Sequence, residues 1–334
     1  MVSISDVARR AGVSPTTVSH ALSGKRSVSE PVRERVRAAM AELDYVPTRA
    51  ARSLALGKTQ VIALVVPDIA IGYFAELAKG IESAAMERGY NMILATTGFD
   101  AGRESRYLEM IASRAVDGIV YASGAPIRAE ARTALTGAVP VILVDEEVEG
   151  VELPTVVSDN EEGGRLVAEH LLALGHRTVL EIQGVATPVS SVRRSAGFAK
   201  LWGRAGGRVL TAWGDYSADG GSAAVASFAD AFAADEITAV FAHNDLMALG
   251  AIDRLRSLGR DVPRDVSVVG FDDMTIARYS PPPLTTVRQD ALELGTRATE
   301  ALLDALESGD VPPAGRVVIP VRLIVRGSTG EVRR

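Results

Sequence analysis

From residue 61 onward, short apolar runs alternate with longer stretches whose apolar residues recur at helical spacing, and few folds accommodate that rhythm. A run at 61–66 precedes a helical pattern with Leu77, Ile81, Ala84 and Ala85 turned inward, and another run follows at 91–95. Further runs at 118–121, 139–144, 179–182, 239–242 and 266–271 read as central parallel strands covered on both faces. The expected core is α/β, with two doubly wound parallel-sheet subdomains split near 157–160. Such sheets bind ligands beyond the carboxyl ends of their strands.

The 334 residues exceed the usual size of one domain, and 23% charged with 47% hydrophobic residues is ordinary globular composition. The apolar runs are too short to span a bilayer, and the first residues do not read as a secretory signal, so a cytoplasmic location is expected. The absence of cysteine excludes disulfides, thiol nucleophiles and thiolate metal sites. Gly57-Lys58-Thr59 echoes the end of a phosphate-binding loop, but Arg52 stands where that loop needs glycine. The sequence holds four histidines and no evident nucleophile, base and orienting acid. His176 has no partner at metal-ligand spacing and reads as structural. No catalytic residue, metal or cofactor is expected.

A net charge of −6 hides a polarity along the chain, because residues up to Thr59 hold ten basic side chains against five acidic ones. A basic head on an acidic body suits a polyanion partner. Within the head, Ser5 is the expected cap of a first helix carrying Val7, Ala8 and Ala11 and ended by Gly12. Ser14 and Pro15 open a second helix with Val18, Ala21 and Leu22 inward, and a third begins at Ser29 with Val32, Val36, Met40 and Leu43. This is a small all-α helix-turn-helix pattern over residues 1–46. Its second helix would present Pro15, Thr16 and His20 to base edges. Ser5, Ser14, Thr17, Ser19, Lys25 and Arg26 are placed to hold phosphates.

The segments Ile4-Ser5-Asp6-Val7-Ala8-Arg9-Arg10-Ala11-Gly12-Val13-Ser14 and Thr17-Val18-Ser19-His20-Ala21-Leu22 resemble the DNA-binding domain of the LacI family. Tyr45-Val46-Pro47 and Ala50-Ala51-Arg52-Ser53-Leu54 are similar to the end of that family's third helix and its hinge helix. The resemblance implies a hinge and linker over 47–60, with Ala51 at the DNA and Leu54 wedged into the minor groove. A helix that short is unstable alone, so it is expected to form only on DNA.

The likeness runs through Gly175-His176-Arg177, Asn244-Asp245, residues 263–273 and Leu284-Thr285-Thr286-Val287. It implies a periplasmic-binding-protein-like effector and dimerisation domain over 61–334, with further chain crossings near 286–289 and 319–321. Arg194, Asn244 and Asp272, read as lying just after strands, match polar ligand contacts of sugar-responsive members. Ser190 and Ser191 can add hydroxyl contacts, while Tyr73, Phe74 and Tyr216 match positions lining the cleft. This chain departs from the family in carrying Ile71 and Gly72 where members often have asparagine and proline, and Pro188 at a position that can supply a polar contact.

The expected function is sequence-specific transcription regulation, most simply repression of a near-palindromic operator by a homodimer. A small molecule, a carbohydrate or sugar derivative, would control it allosterically from the interdomain cleft. A nucleobase or other non-sugar corepressor is the alternative within the same architecture. A transport solute-binding protein is the alternative from another class, and the DNA head argues against it. No leucine heptad follows the last expected strand at 321–325, so a dimer is expected rather than a tail-joined tetramer.

Overall fold

The computed structural model describes residues 2–23, 26–45, 57–110, 115–122, 132–133, 135–137, 139–148, 150–184, 188–309 and 314–333. Its head packs α1 (Ile4–Ala11), α2 (Pro15–Ser23) and α3 (Glu30–Glu42) around Val7, Ala8, Ala11, Val18, Val36 and Ala39. The cap of α1 is Ser3 rather than Ser5. The Ser3 hydroxyl accepts from the Asp6 amide and the Asp6 carboxylate accepts from the Ser3 amide, a reciprocal box for which Ser5 has no acid three residues on. Gly12, at φ 65°, ends the helix in the left-handed region. Ser14 does open α2, its hydroxyl accepting from the Thr17 amide at 3.1 Å. Leu22, expected inward, is 38% exposed, because Val18 and Ala21 occupy the inner side of α2.

Among the described residues, the rest of the chain forms two six-stranded sheets. The first lobe contains β1 (Val61–Val66), β2 (Asn91–Thr96), β3 (Gly118–Tyr121), β4 (Val141–Val144) and β5 (Thr155–Ser158), with α4 (Gly72–Glu87) and α5 (Ala101–Met110). The second contains β6 (Thr178–Gln183), β7 (Arg208–Trp213), β8 (Ala239–Ala242), β9 (Ser267–Asp272) and β10 (Thr285–Arg288). Its helices are α6 (Asn160–Ala173), α7 (Val189–Arg204), α8 (Ala218–Ala226), α9 (Ala229–Ala233), α10 (Asp245–Ser257) and α11 (Thr275–Tyr279). The chain then gives α12 (Ala291–Ser308) and β11 (Arg316–Ile319) to the first lobe and β12 (Arg322–Ile324) to the second. Strand order is β11-β5-β4-β3-β1-β2 in one sheet and β12-β10-β9-β8-β6-β7 in the other, and among the described residues only the β10–β12 pair is antiparallel.

Strand periodicity explains why both faces are apolar. Ile62, Leu64 and Val66 enter one core with α4 and α12, while Ala63 and Val65 enter the core on the opposite face. The second lobe repeats the division, with Leu180 and Ile182 on one side and Val179 on the other. Three segments cross between lobes: β5 to α6, β10 to α12, and β11 to β12. Among the described residues no helix is long and apolar enough to cross a membrane.

Helices α6 and α7 meet backbone to backbone, which fixes the angle at which α7 enters the cleft. A Cβ on Gly197 would stand 1.9 Å from the Glu161 carbonyl oxygen, and one on Gly164 would stand 2.0 Å from that of Arg194. Gly197→Ala should therefore lower unfolding free energy by about 2 kcal/mol, read from urea midpoints, through overpacking. Gly203→Ala on the same helix, where nothing beyond its own turns of helix comes within 4 Å of the new methyl, should leave stability unchanged or slightly raised.

Candidate functional site

The carboxyl ends of the two sheets face each other across a cleft enclosing about 490 Å³, open solvent at its mouth included. The first lobe contributes Tyr73 and Phe74 from the start of α4, Phe99 beyond β2, and Asp145 and Glu146 directly after β4. The second contributes Ser190 and Arg194 from α7, Tyr216 beyond β7, Asn244 after β8, Asp272 at the end of β9, and Gln289 after β10. Pro67, Ile71 and Pro188 complete an apolar rim.

Seven of the eight residues read from the sequence as effector contacts thus line one cavity. Ser191 does not, being 3% exposed and hydrogen-bonded to His243 Nδ1 at 2.8 Å. Arg194 is the sixth residue of α7 rather than lying just after a strand. Asn244 both caps α10, accepting from the Met247 amide at 2.9 Å, and borders the cleft. Sequence reasoning missed Asp145 and Glu146, although they follow the apolar strand β4, and it missed Gln289, whose strand β10 reads Thr-Thr-Val-Arg and forms no apolar run; Phe99 left no periodic signal.

Arg194 is 4% exposed and bound on three sides. Its Nε donates to Asn160 Oδ1 at 2.8 Å, an Nη1 proton goes to the His243 carbonyl at 2.5 Å, and Cζ sits 3.9 Å from the centre of the Phe271 ring. Around it stand three buried carboxyl groups. Asp145 accepts from the Tyr73 hydroxyl at 2.5 Å, Asp272 accepts from Gln289 Nε2 at 2.7 Å, and Glu146 accepts from the Ser190 amide at 3.1 Å and from the Ser190 hydroxyl. Burial raises the pKa of all three. Glu146 is pushed up to about 8 by desolvation and then by the Asp145 charge. Asp272 reaches about 7 through desolvation, with Arg194 and Gln289 pulling the other way.

Backbone strain gathers at the same place. Phe99, Asp145, Tyr216 and Asp272 all hold positive φ, from 58° to 112°, and all four border the cleft. Non-glycine residues pay for such conformations only where the surroundings fix them, commonly at ligand sites.

Beneath the cleft lies a chain that the sequence did not reveal. Ser191 Oγ is bonded to His243 Nδ1, and His243 Nε2 is 3.0 Å from Glu181 Oε1, which also accepts from the Ser195 hydroxyl at 2.8 Å. The order serine, histidine, carboxylate resembles a hydrolytic triad, but Ser191 does not line the cleft and His243 is 0% exposed. The chain instead sets the His243 carbonyl that holds Arg194.

On the head, Ser5, Pro15, Thr16 and Arg26 are exposed, and Ser19 and His20 are half-buried. Ser14 and Thr17 are joined at 2.8 Å through their hydroxyls. Lys25, Ala51 and Leu54, with most of the expected hinge, lie outside the described residues. Among the described residues no group of three potential metal ligands is found.

Residues 3–48 match the model of bacterial regulatory proteins of the lacI family, and residues 168–329 match that of a periplasmic binding protein-like domain. The HTH-type transcriptional repressor PurR of Vibrio vulnificus (strain CMCP6) is 35% identical over 312 residues, covering 92% of each chain. The Lac repressor dimer bound to operator and the anti-inducer ONPF superposes with a TM-score of 0.83 at 30% identity, over 98% of this chain and 99% of that one. A complex of the transcriptional regulator CelR with cellobiose gives a TM-score of 0.74 at 34% identity, over 98% of this chain and 100% of that one.

The cleft carboxyls make stability depend on pH in a definite direction. Because the folded pKa of Glu146 lies above its unfolded value near 4.5, the unfolded chain loses this proton first, and stability falls as pH rises towards about 8. Glu146→Gln keeps an acceptor for Ser190 without the titration. Urea unfolding should show the variant more stable than wild type at pH 8 by on the order of 2 kcal/mol, and little different at pH about 4.5.

Proposed function

The chain belongs to the lacI family of bacterial regulatory proteins, and on that premise we propose that it is a homodimeric operator-binding repressor controlled by a sugar or sugar derivative. Its relatives are transcriptional regulators, and its own head and core have the DNA-binding and ligand-binding architectures of that family. The single observation that carries the effector half is the meeting of Arg194, Asp145, Asp272 and Gln289 with Phe74 and Tyr216 in one interlobe cleft. Polar groups of both kinds beside aromatic faces suit a ring that bears several hydroxyls on otherwise apolar carbon. The cellobiose complex of CelR supports the same class. No catalytic role is assigned, and a cytoplasmic location goes with this reading.

Base choice falls to the exposed start of α2, where Pro15 and Thr16 stand clear of the head's core and His20 is half-buried. Leu54 is assigned the minor-groove wedge and Ala51 the adjoining hinge contact. Dimerisation is supported by apolar side chains left uncovered in one chain. Ile93 and Leu94 on edge strand β2 are 41% and 42% exposed, and Ile276 and Tyr279 on α11 are 48% and 73% exposed.

Two outcomes follow. Selection from a random duplex pool should return a near-palindrome bound by two chains, and Thr16→Ala should relax preference at one pair of symmetric positions by about tenfold. A uniform loss over all sequences would reassign Thr16 to the phosphates. In a thermal-shift screen of sugars, polyols and nucleobases, Arg194→Ala should abolish the shift given by whichever compound stabilises wild type. An undiminished shift in a folded variant would remove Arg194 from the site.

A further inference from the structure

In the chain of buried polar groups beneath the second lobe's half of the cleft, the direction of each hydrogen bond is fixed by chemistry. Glu181 accepts at both oxygens: Oε1 from His243 Nε2 at 3.0 Å and Ser195 Oγ at 2.8 Å, and Oε2 from Gln183 Nε2 at 3.1 Å. Burial opposes its charge, but these bonds outweigh that cost and hold the carboxyl below its usual pKa. A carboxylate only accepts, so His243 carries its proton on Nε2 and presents a lone pair at Nδ1. The ring is 0% exposed, and burial keeps it neutral against the pull of Glu181. Ser191 must then donate to Nδ1, over 2.8 Å.

Such groups are costly in a lobe interior where apolar side chains would pack without desolvation. They converge on Arg194. Glu181 and His243 stand on or just beyond the neighbouring strands β6 and β8, on the sheet face that α7 covers. Ser191, Arg194 and Ser195 share one face of α7, and both serines lead to Glu181, one directly and one through His243. His243 also offers its carbonyl to Arg194 Nη1. Asn160 and that carbonyl take two of the five guanidinium N–H groups, which leaves three uncommitted among the described residues. We propose that Glu181, which does not line the cleft, is a positioning residue of the effector site: by fixing the His243 tautomer and the two serines that flank Arg194, it sets the direction in which the guanidinium meets a ligand. The proposal rests on the reading of this cleft as the regulator's ligand site.

Nuclear magnetic resonance of the full chain, labelled at histidine and arginine, tests this through the ring nitrogen shifts of His243 and hydrogen exchange at Arg194 Nε–H. Neither readout needs an effector or an operator, so the regulator reading stands or falls on its own tests. Wild type should show His243 protonated at Nε2 alone. Glu181→Leu removes the acceptor and should speed exchange at Arg194 Nε–H roughly tenfold, beyond any change shared by the slow amides of β6 and β8. Glu181→Gln keeps an oxygen for His243 and should bring the rate back to within about twofold of wild type. If Glu181→Leu does not fold, Ser191→Ala gives the second reading, since it frees one end of His243 and should speed the same exchange about threefold. A His243 proton on Nδ1, an Arg194 rate unmoved by the variants, a change no larger than that of the amides, or no rescue by Glu181→Gln would each overturn the proposal.

Discussion

The buried guanidinium of Arg194 is the contact on which the second lobe's half of the cleft depends. Taking such a charge out of water is tolerated only when it is matched on several sides. Here the matches come from three parts of the chain: Asn160 at the start of α6, the His243 carbonyl after β8, and the Phe271 ring in β9. Its distance from α6 is set in turn by Gly164 and Gly197, where two backbones approach more closely than any Cβ allows. The Ser191–His243–Glu181 chain is part of the same support, since it fixes the residue whose carbonyl accepts from Arg194. A single side chain thus joins the packing of the lobe to the chemistry of its cleft.

Much of this was legible in the sequence for a simple reason. Strands covered on both faces show as apolar runs, so 118–121 and 239–242 were located to the residue, and the polar groups after such runs mark the ligand end of a sheet. Applied consistently, that rule also reaches Asp145 and Glu146, but not Gln289, whose strand reads Thr-Thr-Val-Arg. What stayed hidden depends on long-range geometry. Nothing near residue 181, 191 or 243 announces that they form one hydrogen-bonded chain, because they come from three different elements. The positive φ of Asp272 and Tyr216 is equally silent, since neither residue type demands it. Ser5 precedes the apolar pattern of the first helix, but Ser3 is the cap because it has an acid, Asp6, three residues on.

The two lobes are also held together across the cleft by groups other than the ligand contacts. Glu146 reaches the first turn of α7 through Ser190, and its neighbour Glu147 pairs with Arg193 at 2.7 Å. The rings of Phe99 and Tyr216 lie nearly parallel, 6.4 Å apart, one from each lobe. The lobes therefore meet through contacts of their own, and a ligand shifts their relative position only by its preference for one arrangement.

That preference reaches the head through the places where the chain crosses between lobes. Any rotation of one lobe against the other must be absorbed at β5–α6, β10–α12 and β11–β12. Two of these crossings carry cleft chemistry, for Asn160 accepts from Arg194 on the first, and Gln289 donates to Asp272 on the second. Among the described residues the chain leaving the head is tied to the first lobe: Thr59 and Gln60 amides donate to Asp117 at 2.7 and 2.8 Å, and Lys58 donates to the Leu306 carbonyl at 2.6 Å. Movement of the first lobe against its partner is consequently what the DNA-binding helices would feel, and a ligand that fixes that lobe's angle must, by linkage, have its own affinity changed equally by DNA.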